Sequence, residues 1–339
     1  MLAVASPQLQ RLEYEYPHST PDCPEIALPA DLGRLSLLTS LTVDVGMARI
    51  TTAQVNAVVE TLPLLLTLSL TCESGALKDG FPVSIASRCC GLEDLKIVGG
   101  MSGHVPSELG LLTALTRLML DSEMITTIPD SISQLTALQR LKLSKCNSVA
   151  LPEGLSACHF LTRLTICDDV MSPVLAKLHS LRRLSVGSHP QQQYWTQLTA
   201  LTQLALAVND EEDRIMPTGL SGLRSLRKLK ISNAEIKNLP AGPYLESLES
   251  LVLLDCNLPR GVPKRLVSAW QLRELDLRDA WDCCQEVTLA DIKDLSHMPA
   301  LEILRLDRPV VMNAAQWERR VTQLRAKCAN QGRYLQWDW

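Results

Sequence analysis

The sequence predicts an α/β repeat fold, a solenoid with one parallel β-sheet on its concave face and helices or 3-10 turns on its convex face. A short leucine frame recurs along the chain, and a proline-led half-motif lies between its copies. The composition agrees, because 46% of the 339 residues are hydrophobic but only 4% are aromatic. A core of this kind is built from aliphatic side chains in stacked, self-similar units.

The frame reads L-x-x-L-x-(L/I), and its last two apolar residues point to the same side of a strand. We expect them to be buried, whereas the x residues face solvent. No unit can bury its leucines alone, so neighbouring units stack into one core. Twelve clear copies, 20 to 29 residues apart, open at Leu38, Leu65, Leu92, Leu115, Leu138, Leu161, Leu181, Leu201, Leu226, Leu248, Leu272 and Leu301, and a degenerate copy opens at Leu9.

The second half-motif reads P-x-x-L-x-x-L-x-x-L and runs from Pro106 to Leu115. Proline cannot donate a ladder hydrogen bond, so it ends each strand. Leucine at every third position then fits a helical or 3-10 return segment. In an early, longer unit, residues 52–62 place Ala53, Val55, Val58, Val59 and Leu62 near one face of a helix.

These motifs resemble the leucine-rich-repeat superfamily over nearly the whole chain. The 23-residue central units, with steps such as Ile128-Pro129 and Leu151-Pro152, are similar to intracellular plant-type and Ras-associated repeats. The longer early units are more similar to ribonuclease-inhibitor-like repeats. The chain departs from the family's asparagine ladder, because the ninth frame position holds Asn only at 209 and Cys at 146 and 256. This departure predicts less regular turns.

The repeats divide the chain into a degenerate repeat or cap at 1–30, repeats at 31–310, and a capping helix with a tail at 311–339. Asn313 is expected to begin a helix whose apolar face contains Trp317, Val321, Leu324 and Cys328. We interpret Trp337 and Trp339 as a cover for the last leucine layer. The alternative is that this terminal pair anchors a partner. For the N-terminal end, the sequence does not distinguish among three alternatives, which are a truncated fragment, an irregular cap and an end that docks onto something else.

Charge and cysteine usage indicate the cellular location of the protein. The net charge of −4 argues against a general nucleic-acid binder. The sequence contains no run of 18 apolar residues, so it predicts no membrane span. The 11 cysteines show no disulfide framework, and no Asn-x-Ser/Thr sequon occurs. We therefore expect a reducing, cytoplasmic location. The sequence carries no signal for an oligomeric state.

The sequence predicts no catalytic residues, no metal site and no cofactor. It lacks the phosphate-binding, dinucleotide, zinc-protease, hydrolase-elbow and kinase motifs. Cys158-His159 lies near Cys167 without paired C-x-x-C spacing, and Cys158 stands at a leucine position, so we interpret it as a small buried hydrophobe. The vicinal pairs Cys89/Cys90 and Cys283/Cys284 are interpreted as reduced turn residues rather than redox or metal sites.

The strongest functional signal is a basic stripe on the concave face. Ten bases and two acids occupy frame positions 2, 3, 5, 7 and 8 of the six units from Leu115 to Leu226, whereas seven acids and four bases occupy the next three units. Equal frame positions align between stacked strands, so Arg117, Arg140, Arg163, Arg183 and Lys228 form a row interrupted at Gln203. The predicted protein-binding stripe comprises Arg117, Arg140, Lys142, Arg163, Arg183, Lys228 and Lys230.

We expect this stripe to bind an acidic surface of a protein partner and the C-terminal third to contact a basic one. The alternative is that the arginine stems cover the sheet while their charged ends stay solvated. The resemblance implies a non-catalytic scaffold or adaptor for protein–protein interaction, with signalling, ubiquitin-ligase or cytoskeletal roles. A ligand-sensing fragment of a larger immune-type receptor is the alternative. An enzyme would need convergent titratable residues, which the sequence does not offer.

Overall fold

The computed structural model describes residues 8–16, 25–72, 77, 80–146, 149–166, 172–187, 192–208, 218–259, 261–278, 295, 297–305, 314–330 and 336–338. The chain divides into two compact units, Met1–Leu181 and Arg182–Trp339. Both contain parallel strands joined by short helical return segments. The predicted α/β repeat fold is therefore confirmed, and the division of the chain into caps and repeats stays a prediction.

In the first unit, the main sheet has the strand order β1-β2-β3-β4-β6-β8-β9, and β5 pairs with β7 separately. Arg11 of β1 is in parallel register with Ser40 of β2, so the degenerate copy at Leu9 forms a repeat strand. The strands are β1 (Arg11–Glu15), β2 (Ser40–Asp44), β3 (Thr67–Thr71), β4 (Asp94–Val98), β5 (Gly103–His104), β6 (Arg117–Asp121), β7 (Ile125–Thr127), β8 (Arg140–Ser144) and β9 (Arg163–Ile166).

In the second unit, the strands follow one another in sequence order and are all parallel. Their register follows the frame, since Leu204, Leu229 and Leu251 align on successive strands. The strands are β10 (Arg183–Val186), β11 (Gln203–Ala207), β12 (Lys228–Ser232), β13 (Ser250–Leu254), β14 (Glu274–Asp276), β15 (Ile303–Arg305) and β16 (Gln336–Asp338).

The frame leucines form the core, as the period-two alternation predicts. Leu118 and Leu120 of β6 are buried, and so are Leu141 and Leu143 of β8. Burying a leucine side chain contributes about 2 kcal/mol. Each repeat supplies two such residues from its strand and further leucines from its return segment, so the stacked repeats stabilise one another.

Most return segments are 3-10 helices, as the leucine spacing predicts. Pro106, Pro129 and Pro152 each stand directly before one. Neighbouring segments pack so closely that a Cβ at Gly154 would lie 2.2 Å from the Asp130 carbonyl oxygen, so only glycine fits there. The 3-10 helices are Ala30–Arg34, Ser107–Leu111, Asp130–Gln134, Glu153–Ala157, Pro173–Lys177, Gln192–Gln197, Thr218–Gly222 and Lys264–Ser268.

The α-helices whose bounds lie in the described residues are α1 (Thr52–Val59), α2 (Val83–Arg88), α3 (Tyr244–Ser247) and α4 (Ala314–Ala329). The predicted early helix is present as α1, which begins with a capping box between Thr51 and Gln54. It ends at Val59 rather than at residue 62, and Ala53 is exposed, so the prediction that Ala53 lies on the buried face is wrong. None of the described helices is long and apolar enough to cross a membrane.

The predicted C-terminal helix is confirmed as α4, with Val321, Leu324 and Cys328 buried. Beyond it, β16 adds another parallel strand, in which Trp337 is in register with Leu304 of β15. Asn313 and Trp339, and the side chains of Trp317 and Trp337, lie outside the described residues. The tryptophan cover therefore stays a prediction.

Cysteine thiols take part in the turns where the family's asparagine ladder is missing. Cys146 Sγ donates to the Leu120 carbonyl oxygen at 3.7 Å, and Cys256 Sγ donates to that of Ile231 at 3.5 Å. Thiols are weak donors, so these turns are held less firmly than amide side chains would hold them. The residue before each cysteine has a positive φ, 55° at Lys145 and 50° at Asp255, a conformation that costs side-chain-bearing residues free energy.

Candidate functional site

The outward face of the first unit's sheet carries the predicted row of arginines. Arg117 is in register with Arg140 and Arg140 with Arg163, so the three lie side by side on β6, β8 and β9. The frame places them there because their leucine neighbours face the core. Arg117 and Arg140 are exposed, and Arg163 is half-buried. Adjacent parallel strands lie about 4.8 Å apart, so these charges repel one another unless a partner offsets them.

Arg117 has such a partner within the fold. Its Nε donates to Asp94 Oδ2 at 2.7 Å, and Asp94 is the registered neighbour on β4. The sequence stripe did not include this acid, although Asp94 stands 23 residues before Arg117 at the same frame position. Register across units of equal length would have predicted the pair.

Arg140 and Lys142, both on β8, form no ion pair with any residue in the described part of the chain. Arg140 is exposed and Lys142 is half-buried. Lys142 stands between Met119 on β6 and Thr165 on β9, which are its registered neighbours. Two uncompensated cations on one strand of this sheet face form a local positive site.

The rest of the stripe lies in the second unit and is described separately. Arg183 is in register with Gln203 and Gln203 with Lys228, so the predicted interruption at Gln203 is confirmed. Lys228 and Lys230 are exposed on β12. Neither lysine forms an ion pair with the described residues.

The acidic strands of the second unit are neutralised internally. Arg305 on β15 binds Glu274 on β14 and lies 3.8 Å from Asp276, whose side chain is only 5% exposed. Arg278 Nη2 donates to Asp276 at 2.7 Å. The hydrogen bond from Arg305 holds the pKa of the Glu274 carboxyl below its ordinary value, although partial burial opposes this.

The neighbouring acids are also paired. Glu249 binds Arg227 at 2.7 Å and Glu302 binds Arg273 at 3.3 Å. This part of the sheet therefore offers less uncompensated charge than its sequence suggests.

An open cavity of about 510 Å³ lies where β4 and β6 end. Asp121, Glu123 and Lys145 line it together with Gly99 and Gly100. Among the residues that the structure describes, these three charged side chains form no ion pair with one another. The cavity is open, and its mixed charges do not form the nucleophile, base and orienting group of a catalytic set.

The cysteines do not form a metal site in the described residues, where no group of three His, Cys, Asp or Glu side chains converges. Cys158 is buried, as predicted for a residue that replaces leucine. Burial raises the pKa of the Cys158 thiol to about 11, so it stays protonated at neutral pH. Cys89 is buried beside exposed Cys90, and Cys283/Cys284 lies outside the described residues.

Comparisons with known proteins agree on the fold. A family model described as a leucine-rich repeat region matches residues 87–330. A leucine-rich-repeat protein of Leptospira interrogans superposes with a TM-score of 0.63 at 20% identity, over 98% of this chain and 90% of that chain. An internalin of Listeria monocytogenes superposes with a TM-score of 0.52 at 17% identity, over 87% and 73% of the two chains. No curated protein matches the sequence significantly.

Proposed function

This chain belongs to the leucine-rich-repeat family, and we propose that it is a non-catalytic scaffold or adaptor that binds an acidic surface of a protein partner on the outward face of its sheet. Proteins of this family are generally interaction modules that use this face, because outward side chains from every repeat lie side by side on it. The residues proposed to contact the partner are Arg117, Arg140, Lys142, Arg163, Arg183, Lys228 and Lys230.

The observation that carries the proposal is the contrast between paired and unpaired charges on this face. Arg117 and Arg305 bind carboxylates of neighbouring strands. Arg227 and Arg273, which directly precede β12 and β14, bind the acids that precede the next strands. Arg140 and Lys142 do not bind any described carboxylate, although like charges in neighbouring positions are destabilising. An acidic partner surface would offset that repulsion on binding and would give the complex its orientation.

We propose a reducing, intracellular setting for this interaction. Cys72, Cys89, Cys90, Cys158 and Cys256 are free thiols. Burial raises the pKa of the Cys72 thiol to about 12 and that of Cys256 to about 11. Thiols used as core residues and turn donors are compatible with a compartment that keeps them reduced.

Quantitative capture from native lysate tests the docking face. The bait proteins are the wild type, Arg140→Glu/Lys142→Glu, and the control Arg88→Glu, which reverses an exposed charge on the return helix α2 of the same unit. We expect a partner that binds the wild type and the control, is lost with the double variant, and dissociates at about 0.5 M salt, where exposed charges are screened. Equal capture by all three proteins would refute the proposal.

A further inference from the structure

The open cavity at the carboxyl ends of β4 and β6 has charges of both signs in its lining. Asp121, Glu123 and Lys145 all line it. None of the three forms an ion pair with the others or with any other residue in the described part of the chain. Two carboxylates and one ammonium group therefore line one cavity without compensating each other.

Hydrogen bonds fix the walls of this cavity. The Ser122 hydroxyl donates to the Met101 carbonyl oxygen at 2.6 Å and accepts from the Met124 backbone N–H at 3.3 Å. The Gly99 N–H donates to the Asp121 carbonyl oxygen at 2.7 Å, which ties the end of β4 to the end of β6. Walls that are already fixed lower the entropic cost of binding a small ligand.

Lys145 has a backbone conformation that suits other residue types better. It stands at the eighth frame position, where φ is 55°, and the same position has positive φ at Gly99, Asn233 and Asp255. Glycine, asparagine and aspartate adopt this left-handed region more readily than lysine does. The lysine therefore does not stabilise the turn, and its ammonium group in the cavity is the better reason for its presence.

We propose that this cavity binds a free amino acid with a cationic side chain, such as arginine or lysine. Such a ligand carries two positive charges and one negative charge at neutral pH, the reverse of the lining. Its carboxylate would bind Lys145, and its two cations would bind Asp121 and Glu123. Val98 and the exposed Met124, which also line the cavity, would contact its aliphatic stem.

The size of the cavity and the chemistry of its lining favour this ligand class over simpler ions. The volume of about 510 Å³ lies within the range of about 300–1,000 Å³ for small-molecule sites. A calcium ion takes about six to eight oxygen ligands, and the Lys145 ammonium group would repel it. A phosphate group would meet the carboxylates of Asp121 and Glu123. The inference goes beyond the docking function, because none of these residues belongs to the proposed contact set.

Equilibrium dialysis of the full chain against radiolabelled arginine, citrulline or agmatine tests the inference. Citrulline has nearly the same shape as arginine with an uncharged side chain, and agmatine lacks the carboxylate. We expect arginine to bind about tenfold more tightly than either, which corresponds to about 1.4 kcal/mol.

Two variants assign the contacts. Lys145→Asn should weaken arginine binding about tenfold without weakening agmatine binding. It should not lower the midpoint of urea unfolding, because asparagine adopts a positive φ more readily. Asp121→Asn/Glu123→Gln should reduce the preference for arginine over citrulline below about twofold. The control Glu108→Gln, which changes an exposed acid on the return segment Ser107–Leu111, should retain both preferences.

Each other outcome would overturn the inference and leave the docking function to be judged by capture. Equal affinity for arginine and agmatine would mean that the cavity holds a cation without recognising a carboxylate. Equal affinity for arginine and citrulline would mean that the two acids do not select the side-chain charge. Selective binding that survives in both variants would locate the site elsewhere, and the inference also fails if arginine shows no saturable binding.

Discussion

The outward faces of two strands differ in how their charges are compensated. On β8 in the first unit, Arg140 and Lys142 have no carboxylate partner among the described residues. On β14 in the second unit, Glu274 and Asp276 are both bound by arginines. Removing a buried charge from its partner is costly, whereas an exposed, solvated charge contributes little to stability. We infer that the charges of β14 hold neighbouring repeats together and that those of β8 remain available for a partner.

The largest expected effect comes from breaking the β14 network. Arg278→Ala/Arg305→Ala leaves the Asp276 carboxylate buried without these two partners, which should lower the free energy of unfolding by about 3 kcal/mol. Urea unfolding monitored by circular dichroism measures the loss. Adding Asp276→Leu removes the unpaired charge and should recover much of the stability. The interpretation is wrong if the triple variant is less stable than the double variant.

A smaller effect is expected from acid titration of the same network. Arg305 holds the pKa of Glu274 below its ordinary value of 4.5, so the folded state binds this proton less readily than the unfolded state. The stability from Glu274 is therefore complete above that ordinary value and is lost as the pH falls through the lowered pKa. The advantage of wild type over Glu274→Gln in urea midpoint should shrink as the pH falls below about 4.5.

Arginine does not titrate in this range, which provides the comparison with β8. The difference in midpoint between wild type and Arg140→Gln should stay constant over the same pH interval. If both differences in midpoint change equally, Glu274 is not the group responsible for the pH dependence of stability.

Unpairing Arg117 would extend the uncompensated charge of β8 to β6. Asp94→Asn removes an exposed ion pair, so it should cost only about 0.5 kcal/mol of stability. The Arg117 charge would then join those of Arg140 and Lys142, and the affinity for an acidic partner captured by the wild type should rise about twofold. Glu153→Gln is the matched control, since it breaks the exposed pair with Lys177 on the return segments. A gain with both variants would indicate only a change in net charge.

The sequence predicted the register of the strands better than the pairing of their charged side chains. Because the units around Arg117, Arg140 and Arg163 are 23 residues long, equal frame positions had to align, and the row followed from counting. Asp94, the partner of Arg117, lies in the preceding repeat and has the opposite charge. The charges of one frame taken alone therefore do not predict the pair. The ion pair between Arg305 and Glu274 joins residues 31 positions apart in the sequence, and it depends on the direction of the two side chains. The leucine frame fixes which face a residue occupies, whereas it does not fix which neighbour an arginine reaches.

The smallest expected change in stability comes from removing the cations of β8. Arg140→Gln/Lys142→Gln removes two charges that no described carboxylate compensates, so it should change the free energy of unfolding by no more than about 0.5 kcal/mol. A slight gain is the expected sign, because repulsion between aligned like charges is relieved. Urea midpoints of wild type and variant at low salt measure this. A loss near that of Arg278→Ala/Arg305→Ala would mean that these cations are part of the fold's own support, and the contrast between the two strands would disappear.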